Sequence, residues 1–484
     1  MTDDLLWMTS SQLIDRYRSG DVSPLEVTRD LLRRVEDTQP AINAFVHIDA
    51  ETSLAQARAS EDRWRRGQPA GLLDGVPITI KDDLHVAGWP TREGSRAFLN
   101  APPAAEDSPV VARLREQGAV FLGKTATPEF GSRAVTVSAV HGITRNPYDP
   151  AKTPGGSSGG GAAAVALDLG TIAIGADAGG SVRIPASFCN VFGLKPTVGR
   201  VPDYPPSVFT GLAVIGPMAR RIEDAALAFT VITRPEGRDP YALPYEERDY
   251  RVGLDDGVAG LKIAYSPTLG RPDACVDPEV AALVAQAVDV FAKLGAVVEL
   301  AEPVWPCDPL DVYQVLWGAA FAHFLDHALT ADQRRRIEPD MQALLEAGRA
   351  LSLAEYLVAQ DRRADIAVAV KAFFNTYDLM LSPVMPTPPF AADHMGALGI
   401  AREDWACCPF TWICNLTRQP AASVPCGFTE AGLPVGLHIV GPSYGEALIL
   451  RAAHAFERVR PMHERHPPLE PAPPPADGHR APSL

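Results

Sequence analysis

Hydrophobic and polar positions in the first part of the chain recur at the spacing of amphipathic helices. Residues 9–45 contain two such segments, separated by the sequence SGDVSP. Ser23 is suited to cap the second helix, and Pro24 is suited to its first position because a proline there loses no intrahelical hydrogen bond. The pattern predicts a helical head over residues 1–65.

From about residue 72 the pattern changes to short apolar runs typical of β-strands. GVPITI and GAVFLG are such runs, bounded by Gly or Pro, and VVARLREQG between them has helical spacing. The strand–helix–strand order returns in 260–300, helical spacing dominates 311–374, and strand patterns return from about 380 to 440. This order predicts an α/β fold with a large mixed, largely parallel β-sheet covered by helices on both faces.

The composition is that of a soluble globular protein acting on small molecules. Of 484 residues, 46% are hydrophobic and 21% charged, and 44 Lys and Arg face 59 Asp and Glu for a net charge of −15. Phosphate binding needs clustered positive charge that no Lys/Arg run supplies, so we expect no nucleic-acid partner.

Asp3 and Asp4 stand where a signal peptide would be basic, and Asp168 and Asp177 interrupt the most apolar stretch. We expect a cytoplasmic protein with no membrane partner.

Neither the cysteines nor the histidines form a complete metal-ligand set. The seven cysteines are an odd number, are scattered, and form no CxxC pair, which favours buried reduced thiols over disulfides or a structural zinc. His323 and His327 lie four residues apart, as in some zinc enzymes, but the glutamate of HExxH and a third ligand are missing. We expect no metal and no cofactor.

Two serine-bearing glycine loops lie between residues 153 and 197. They are centred on Ser157 and Ser181 and are joined by an Ala-rich helical segment and the short strand TIAIG. A single Gly-Ser run is usually a flexible surface turn, but two of them flanking a buried helix and strand can face each other across one cleft. GGSSG also matches a hydrolase GxSxG elbow, yet the preceding TRNPYDPAKTP cannot be the central strand that this elbow requires.

The motifs of this region resemble the amidase signature family. GGSSGG is followed by GADAGGSVRIPASFC and GLKPT, preceded by GVPITIKDD, and followed downstream by LSPVMPTPP and NLTRQPAASVPCGF. The resemblance implies the amidase signature fold, with a signature core at 70–200 and its C-terminal part at 376–457. Because the sequence shows no internal repeat and no strong linker before the tail, we expect a single domain over 1–466. Residues 216–375 carry no sharp motif and are expected to form a variable helical region. Residues 467–484 contain seven prolines and are predicted to be a disordered tail.

The resemblance also implies a catalytic triad. Ser181 would be the nucleophile, Ser157 the bridging serine after a cis peptide bond, and Lys81 the base. Lys81 ends the apolar run VPITI, where loss of solvation favours the neutral amine. Asp82 and Asp83 would oppose this effect if they faced the amine, so we expect at least one of them to point away.

The loop around Ser181 is predicted to bind the oxyanion of the reaction. A Gly-Gly turn allows successive backbone N–H groups to converge on one point, which assigns the oxyanion hole to the amides of Ala178, Gly179, Gly180 and Ser181. Supporting roles, including an Asp–Arg pair, are expected for Gly156, Ser158, Asp177 and Arg183. Three positions depart from the common family pattern, namely Ala176 in place of Thr and Asn190 and Arg418 in place of Gly.

The substrate class rests on weaker grounds than the triad. We expect an uncharged acyl or aryl amide, with esters and carbamates as an extension, bound in an apolar pocket lined by Phe130, Tyr148, Tyr204, Phe209, Trp317 and Phe321. One alternative is the glutaminase component of a tRNA-dependent amidotransferase, although Ile184 stands where that branch commonly has Gln. Another is a non-catalytic binding subunit. We expect a monomer or homodimer.

Overall fold

A computed structural model describes residues 5, 7–207, 209, 211–395 and 402–468. The strands are β1 Phe45–His47, β2 Pro77–Lys81, β3 Val120–Thr125, β4 Val137–Ser138, β5 Gly142–Ile143, β6 Ile172–Asp177, β7 Phe192–Lys195, β8 Val214–Ala219, β9 Lys262–Tyr265, β10 Val297–Leu300, β11 Leu379–Pro383, β12 Ala421–Phe428 and β13 Pro434–Val440. The predicted tail lies outside the described residues from position 469 onward.

The helices fall mainly at the start of the chain and between the strands. They are α1 Ser10–Ser19, α2 Pro24–Ile42, α3 Ala50–Arg65, α4 Pro109–Glu116, α5 Gly159–Ala166, α6 Arg183–Phe188, α7 Ile222–Ile232, α8 Pro278–Lys293, α9 Pro309–His327, α10 Ala331–Arg334, α11 Pro339–Arg349, α12 Leu353–Phe373, α13 Trp412–Leu416 and α14 Glu446–Val459. Short 3-10 helices lie at Arg96–Phe98, Glu129–Gly131, Leu254–Asp256, Arg402–Cys407 and Met462–Glu464.

The helical head begins as its sequence pattern predicts. Ser23 caps α2 by accepting the N–H of Glu26, whose side chain in turn accepts the Ser23 N–H, and Pro24 occupies the first helical position. The head also contains β1, which pairs antiparallel with β3 at the edge of the main sheet. This strand was not predicted, because three residues are too few to show an alternating pattern.

One mixed sheet of eleven strands forms the centre of the molecule, in the order β1-β3-β2-β6-β8-β7-β12-β13-β11-β9-β10. The mixed sheet and the α/β class are confirmed. Parallel pairing is confined to β2 with β3 and β6 and to β9 with β10 and β11. The other six of the ten adjacent pairs are antiparallel, so the sheet is less parallel than predicted. The short β12–β13 connection can form only an antiparallel hairpin.

Helices cover both faces of this sheet. On β6, Ile172 and Ile174 join the core that contains α4, α7, α8 and α14, whereas Ala173 between them packs against α5 and α6 on the opposite face. The strand is therefore buried on both sides, which explains why residues 172–176 form an unbroken apolar run before Asp177. Across the described ranges, every helix is too short or too polar to span a lipid bilayer.

Candidate active site

Lys81 is the last residue of β2 and lies inside the protein at the carboxyl end of that strand. Its side chain is only 2% exposed. The Lys81 Nζ lies 2.8 Å from Ser157 Oγ and 2.9 Å from Asp83 Oδ2. Asp82 points away, as expected for at least one of the two aspartates, and pairs with Lys124 at 3.0 Å. Asp83 does not point away, so a carboxylate lies directly beside the Lys81 amine.

Ser157 stands in the glycine loop that precedes α5. The Gly156–Ser157 peptide bond is cis, as the family resemblance implies. Gly131 approaches this serine closely, because a Cβ added at Gly131 would lie 3.2 Å from Ser157 Oγ and 3.7 Å from Lys81 Nζ. The φ of Gly131 is 65°, a left-handed conformation that favours glycine. The lysine and serine are thus packed under a backbone segment that leaves little room for a side chain.

Ser181 follows β6 in the second glycine loop, and the two loops are joined directly. The backbone N–H of Ser158 donates to the Ser181 carbonyl at 3.1 Å, and the Ser158 hydroxyl donates to the Ala176 carbonyl at 3.3 Å. Ser157 and Ser181 both line one cleft together with Lys81. The predicted meeting of the two loops is confirmed.

A buried ion pair holds the Ser181 loop in place. Arg183 binds both oxygens of Asp177, at 3.0 Å and 2.9 Å, and both side chains are fully buried. Asp177 Oδ1 accepts the Gly180 N–H at 2.8 Å, and its Oδ2 accepts the Val182 N–H at 3.2 Å. Burial alone would raise the pKa of Asp177, but the Arg183 guanidinium outweighs burial and holds this pKa well below its usual range. The expected pairing of these two residues is confirmed.

The C-terminal part of the sheet completes this network. Arg183 also donates to the Thr411 carbonyl at 2.8 Å and to Asn415 Oδ1 at 2.7 Å. A further Nη contact is with His438 Nε2 at 3.1 Å, which must accept because a guanidinium only donates. Asn415 and His438 were missed in the sequence because they lie more than 230 positions from Arg183. Asn415 belongs to the NLT motif and His438 to the GLHIV segment, and these motifs were the signals available in the sequence.

The orientation of the oxyanion-hole amides follows from the carbonyl groups of the same loop. The Ala178 carbonyl accepts from the Tyr313 hydroxyl at 2.8 Å, and the Gly179 carbonyl accepts from Thr411 at 2.6 Å. Since C=O and N–H point in opposite directions across a peptide plane, these bonds turn the following amides away from Tyr313 and Thr411. Gly180 has a φ of 128°, and a Cβ there would overlap the Thr411 side chain.

One of the four predicted amide donors is already engaged. The Gly180 N–H donates to Asp177, so in this arrangement it cannot also serve an oxyanion. Among the described residues no acceptor is found for the amides of Ala178, Gly179 and Ser181. These three amides remain as candidate donors.

The cleft in front of the serines has a volume of about 420 Å³ and an aromatic wall. Four predicted pocket residues line it, namely Phe130, Tyr204, Phe209 and Trp317. Phe321 does not, because it is fully buried behind Phe209 and Trp317, with ring centroids 4.7 Å and 4.8 Å away. Tyr148 is remote from the cleft, since its hydroxyl donates to the Arg465 carbonyl at 2.7 Å near the C-terminus.

Besides Asp83, Glu93 and Asp203 line the cleft. The sequence patterns did not indicate these two carboxyl groups. Burial, with the nearby Asp83 and Asp82 carboxylates, raises the pKa of Glu93 to about 8. Burial, with Asp83 and Asp239, raises the pKa of Asp203 to about 7. Near neutral pH the cleft therefore carries less negative charge than its composition implies, because Glu93 is mostly protonated and Asp83 is paired with Lys81.

Comparison with known proteins identifies the family. Residues 26–450 match the family model described as Amidase. The chain belongs to the amidase signature family. This amidase is 35% identical over 472 residues to an acylamidase from Rhodococcus erythropolis, covering 96% of this chain and 98% of the relative. It is 36% identical over 485 residues to one of the subunits of the glutamyl-tRNA(Gln) amidotransferase from a Cyanothece strain, covering 95% and 98%.

A solved structure supports the same conclusion. A bacterial aryl acylamidase of the amidase signature family matches with a TM-score of 0.88 and 29% sequence identity, covering 95% of this chain and 98% of that chain. The predicted family and fold class are therefore confirmed, and the protein is an amidase signature hydrolase.

Two of the departures from the family pattern have a backbone explanation in this amidase. Asn190 and Arg418 have φ values of 55° and 66°, so both stand in the left-handed region where glycine is common. Asn190 donates from Nδ2 to the Tyr148 hydroxyl and the Met462 carbonyl, each at 2.9 Å. Arg418 is exposed and is not among the residues that line the cleft. Ala176 does line the cleft.

Replacing Arg183 by Met should destabilise the amidase strongly. The substitution leaves the Asp177 carboxylate buried without its cation, which typically costs about 3–5 kcal/mol. Chemical denaturation monitored by circular dichroism measures this loss. The matched control is Arg18→Met, which removes an exposed Arg–Asp pair and should change little. An unchanged unfolding free energy for R183M would contradict the central role of the pair.

Replacing Glu93 by Gln should make the stability of the amidase less sensitive to a rise in pH from about 4.5 to about 8. The folded protein holds the Glu93 proton up to about pH 8, whereas an unfolded chain releases it near the usual pKa of 4.5. The stabilisation from this proton is thus complete below about pH 4.5 and is lost as the pH rises to about 8. Thermal melts across this window should show a smaller decline for E93Q than for the wild type. The exposed control Glu36→Gln should follow the wild type. Equal declines for E93Q and the wild type would contradict the raised pKa of Glu93 in the folded protein.

Proposed function

We propose that the protein hydrolyses a small uncharged acyl or aryl amide through an acyl-enzyme on Ser181. The observation that carries this proposal is the 2.8 Å contact between Lys81 Nζ and Ser157 Oγ, at a cleft that Ser181 also lines. Hydroxyl and amine groups at hydrogen-bond distance can pass a proton in either direction. This supports a Ser–Ser–Lys proton relay.

The reaction then proceeds in two balanced halves. Ser181 Oγ attacks the amide carbon while its proton moves to Ser157 Oγ, and the Ser157 proton moves to Lys81 Nζ. The negative oxygen of the tetrahedral intermediate is bound by the amides of Ala178, Gly179 and Ser181, and one such donor typically contributes about 3–4 kcal/mol. The C–N bond breaks as the relay returns a proton to the leaving nitrogen, and water then releases the acid from Ser181.

Asp83 has a defined role in this scheme. Its carboxylate opposes the neutral amine before the attack, but it stabilises the ammonium that forms when Lys81 takes up the relayed proton. The 2.9 Å contact between the two groups supports this stabilisation because opposite charges interact more strongly away from solvent. The lysine therefore gains charge in the step where the negative oxyanion develops.

The character of the cleft supports an uncharged substrate with an apolar group. Phe209 stacks on Trp317 with ring centroids 5.1 Å apart, and this pair forms a flat apolar wall suited to an acyl chain or an aryl ring. Protonated Glu93 adds a hydrogen-bond donor without a charge. The acylamidase and aryl acylamidase relatives agree with this choice, and esters and carbamates present the same carbonyl to the same serine.

The second candidate is the glutaminase component of a tRNA-dependent amidotransferase. It is supported by the 36% identity to the amidotransferase relative. Against it stands Ile184, whose apolar side chain is buried after Arg183 where that branch commonly has Gln. A non-catalytic binding subunit is less favoured, because Lys81, Ser157 and Ser181 are all present.

Triad substitutions test the proposed relay. We expect Ser181→Ala to abolish turnover, and Lys81→Ala and Ser157→Ala to lower kcat by at least about 10²–10⁴-fold, because general acid–base groups contribute that much. The assay is anilide hydrolysis, with intact mass spectrometry to detect an acyl adduct on the Ser181 peptide. The exposed Lys262→Ala serves as a matched lysine control. Near-normal hydrolysis by a folded Lys81→Ala variant would refute the mechanism.

Substrate comparison separates the two candidate enzymes. The purified protein, without any partner, should release aniline from an acyl anilide faster than it releases ammonia from glutamine. The physical reason is that the aromatic wall of the cleft gains more from burying a ring than from binding a zwitterion. A coupled ammonia assay and the absorbance of the aniline measure the two rates. Preferential release of ammonia from glutamine would favour the amidotransferase component instead.

A further inference from the structure

Two consecutive cysteines lie in the wall of the active-site region. Cys407 is the last residue of the 3-10 helix Arg402–Cys407, and Cys408 follows it. Their sulfur atoms are 3.8 Å apart. Both residues line a small cavity that Gly179 and Ser181 also line. The two thiols thus face the same space as the loop that carries the proposed nucleophile.

The two sulfurs differ in access and chemistry. Cys407 is half-buried, whereas Cys408 is only 4% exposed. A hydrogen bond with the Cys408 thiol lowers the pKa of Cys407, and the same bond raises the pKa of Cys408. Since the thiolate is the reactive form, Cys407 is the thiol that reacts first, and the neighbouring Cys408 is the thiol that reacts second.

The surrounding packing keeps this pair in place. The Trp405 ring, two residues before Cys407, lies 4.8 Å from Tyr313 and 5.6 Å from Trp317, measured between ring centroids. The Cys407 sulfur is within 3.2 Å of the Asp404 carbonyl oxygen. Two thiols held this close can both bond to one soft atom placed between them, because thiolates prefer soft partners.

We propose that Cys407 and Cys408 form a dithiol site for trivalent arsenicals, which bridge the two sulfurs and block the cleft beside Ser181. An arsenical of the form R–As=O forms one As–S bond to each cysteine. Its oxygen leaves as water with the two thiol protons, and no oxidant or reductant is needed. The cavity beside the two sulfurs has a volume of only about 30 Å³, so the bridged arsenic with its group R fills and overflows it next to Ser181 and thereby obstructs substrate binding.

The other five cysteines provide internal controls. Cys189, Cys414 and Cys426 are buried, Cys307 is half-buried and Cys275 is exposed. Cys275 is therefore the most accessible single thiol, and a site that needs two sulfurs should not respond to its loss.

Titration of the full-length protein with phenylarsine oxide tests the proposal. Intact mass spectrometry should show one bridged adduct per chain, and anilide hydrolysis should fall in proportion to this adduct. A dithiol such as 2,3-dimercaptopropanol should reverse both effects, whereas a monothiol at the same thiol concentration should not. If the adduct forms while the rate of anilide hydrolysis is unchanged, the proposed blocking of the cleft is wrong.

Single substitutions locate the adduct. Cys407→Ser and Cys408→Ser should each abolish the dithiol-reversible adduct, whereas Cys275→Ser should form it like the wild type. Circular dichroism confirms that each variant is folded. Persistence of the adduct in either folded Cys407→Ser or Cys408→Ser would refute the site. The mass measurement needs no turnover, so it decides the dithiol site even if the proposed amide hydrolysis fails.

Discussion

The buried pair of Asp177 and Arg183 is the interaction on which the site geometry depends. Removing two charges from water is costly, and such a pair is tolerated only when every remaining donor and acceptor is satisfied. Here the carboxylate also accepts the amides of Gly180 and Val182, and the guanidinium also binds the Thr411 carbonyl and Asn415. The pair therefore positions the loop of Ser181 against elements from the far end of the chain.

The charges around Lys81 are a second constraint on the site, because they oppose the neutral amine that the proposed chemistry requires. In the proposed mechanism Lys81 is the general base and should be neutral before reaction, yet Asp83 lies 2.9 Å from its amine. The raised pKa values of Glu93 and Asp203 limit the negative charge elsewhere in the cleft. A cleft with few net charges and an aromatic wall is suited to binding an uncharged amide, and the ion pair of Lys81 and Asp83 is available to the proposed proton relay.

Strand order explains how distant segments reach one site. Lys81 ends β2, and Ser181 follows the neighbouring β6, so both stand at the carboxyl ends of parallel strands. Thr411 and Asn415 precede β12, which pairs with β7 in the middle of the sheet. The antiparallel centre of the sheet thus brings the C-terminal motif beside the signature loops, which a purely parallel order would have separated.

The sequence by itself determined the helical head with its Ser23 cap, the α/β class and the two glycine loops, because capping, periodicity and turn chemistry are local properties. The motifs also indicated Lys81, Ser157, Ser181 and the Asp177–Arg183 pair. Only the tertiary structure decided which carboxylate faces Lys81, that the Gly180 amide is already engaged, and that Phe321 and Tyr148 lie outside the cleft. These outcomes depend on packing between residues far apart in the chain, which local patterns do not encode.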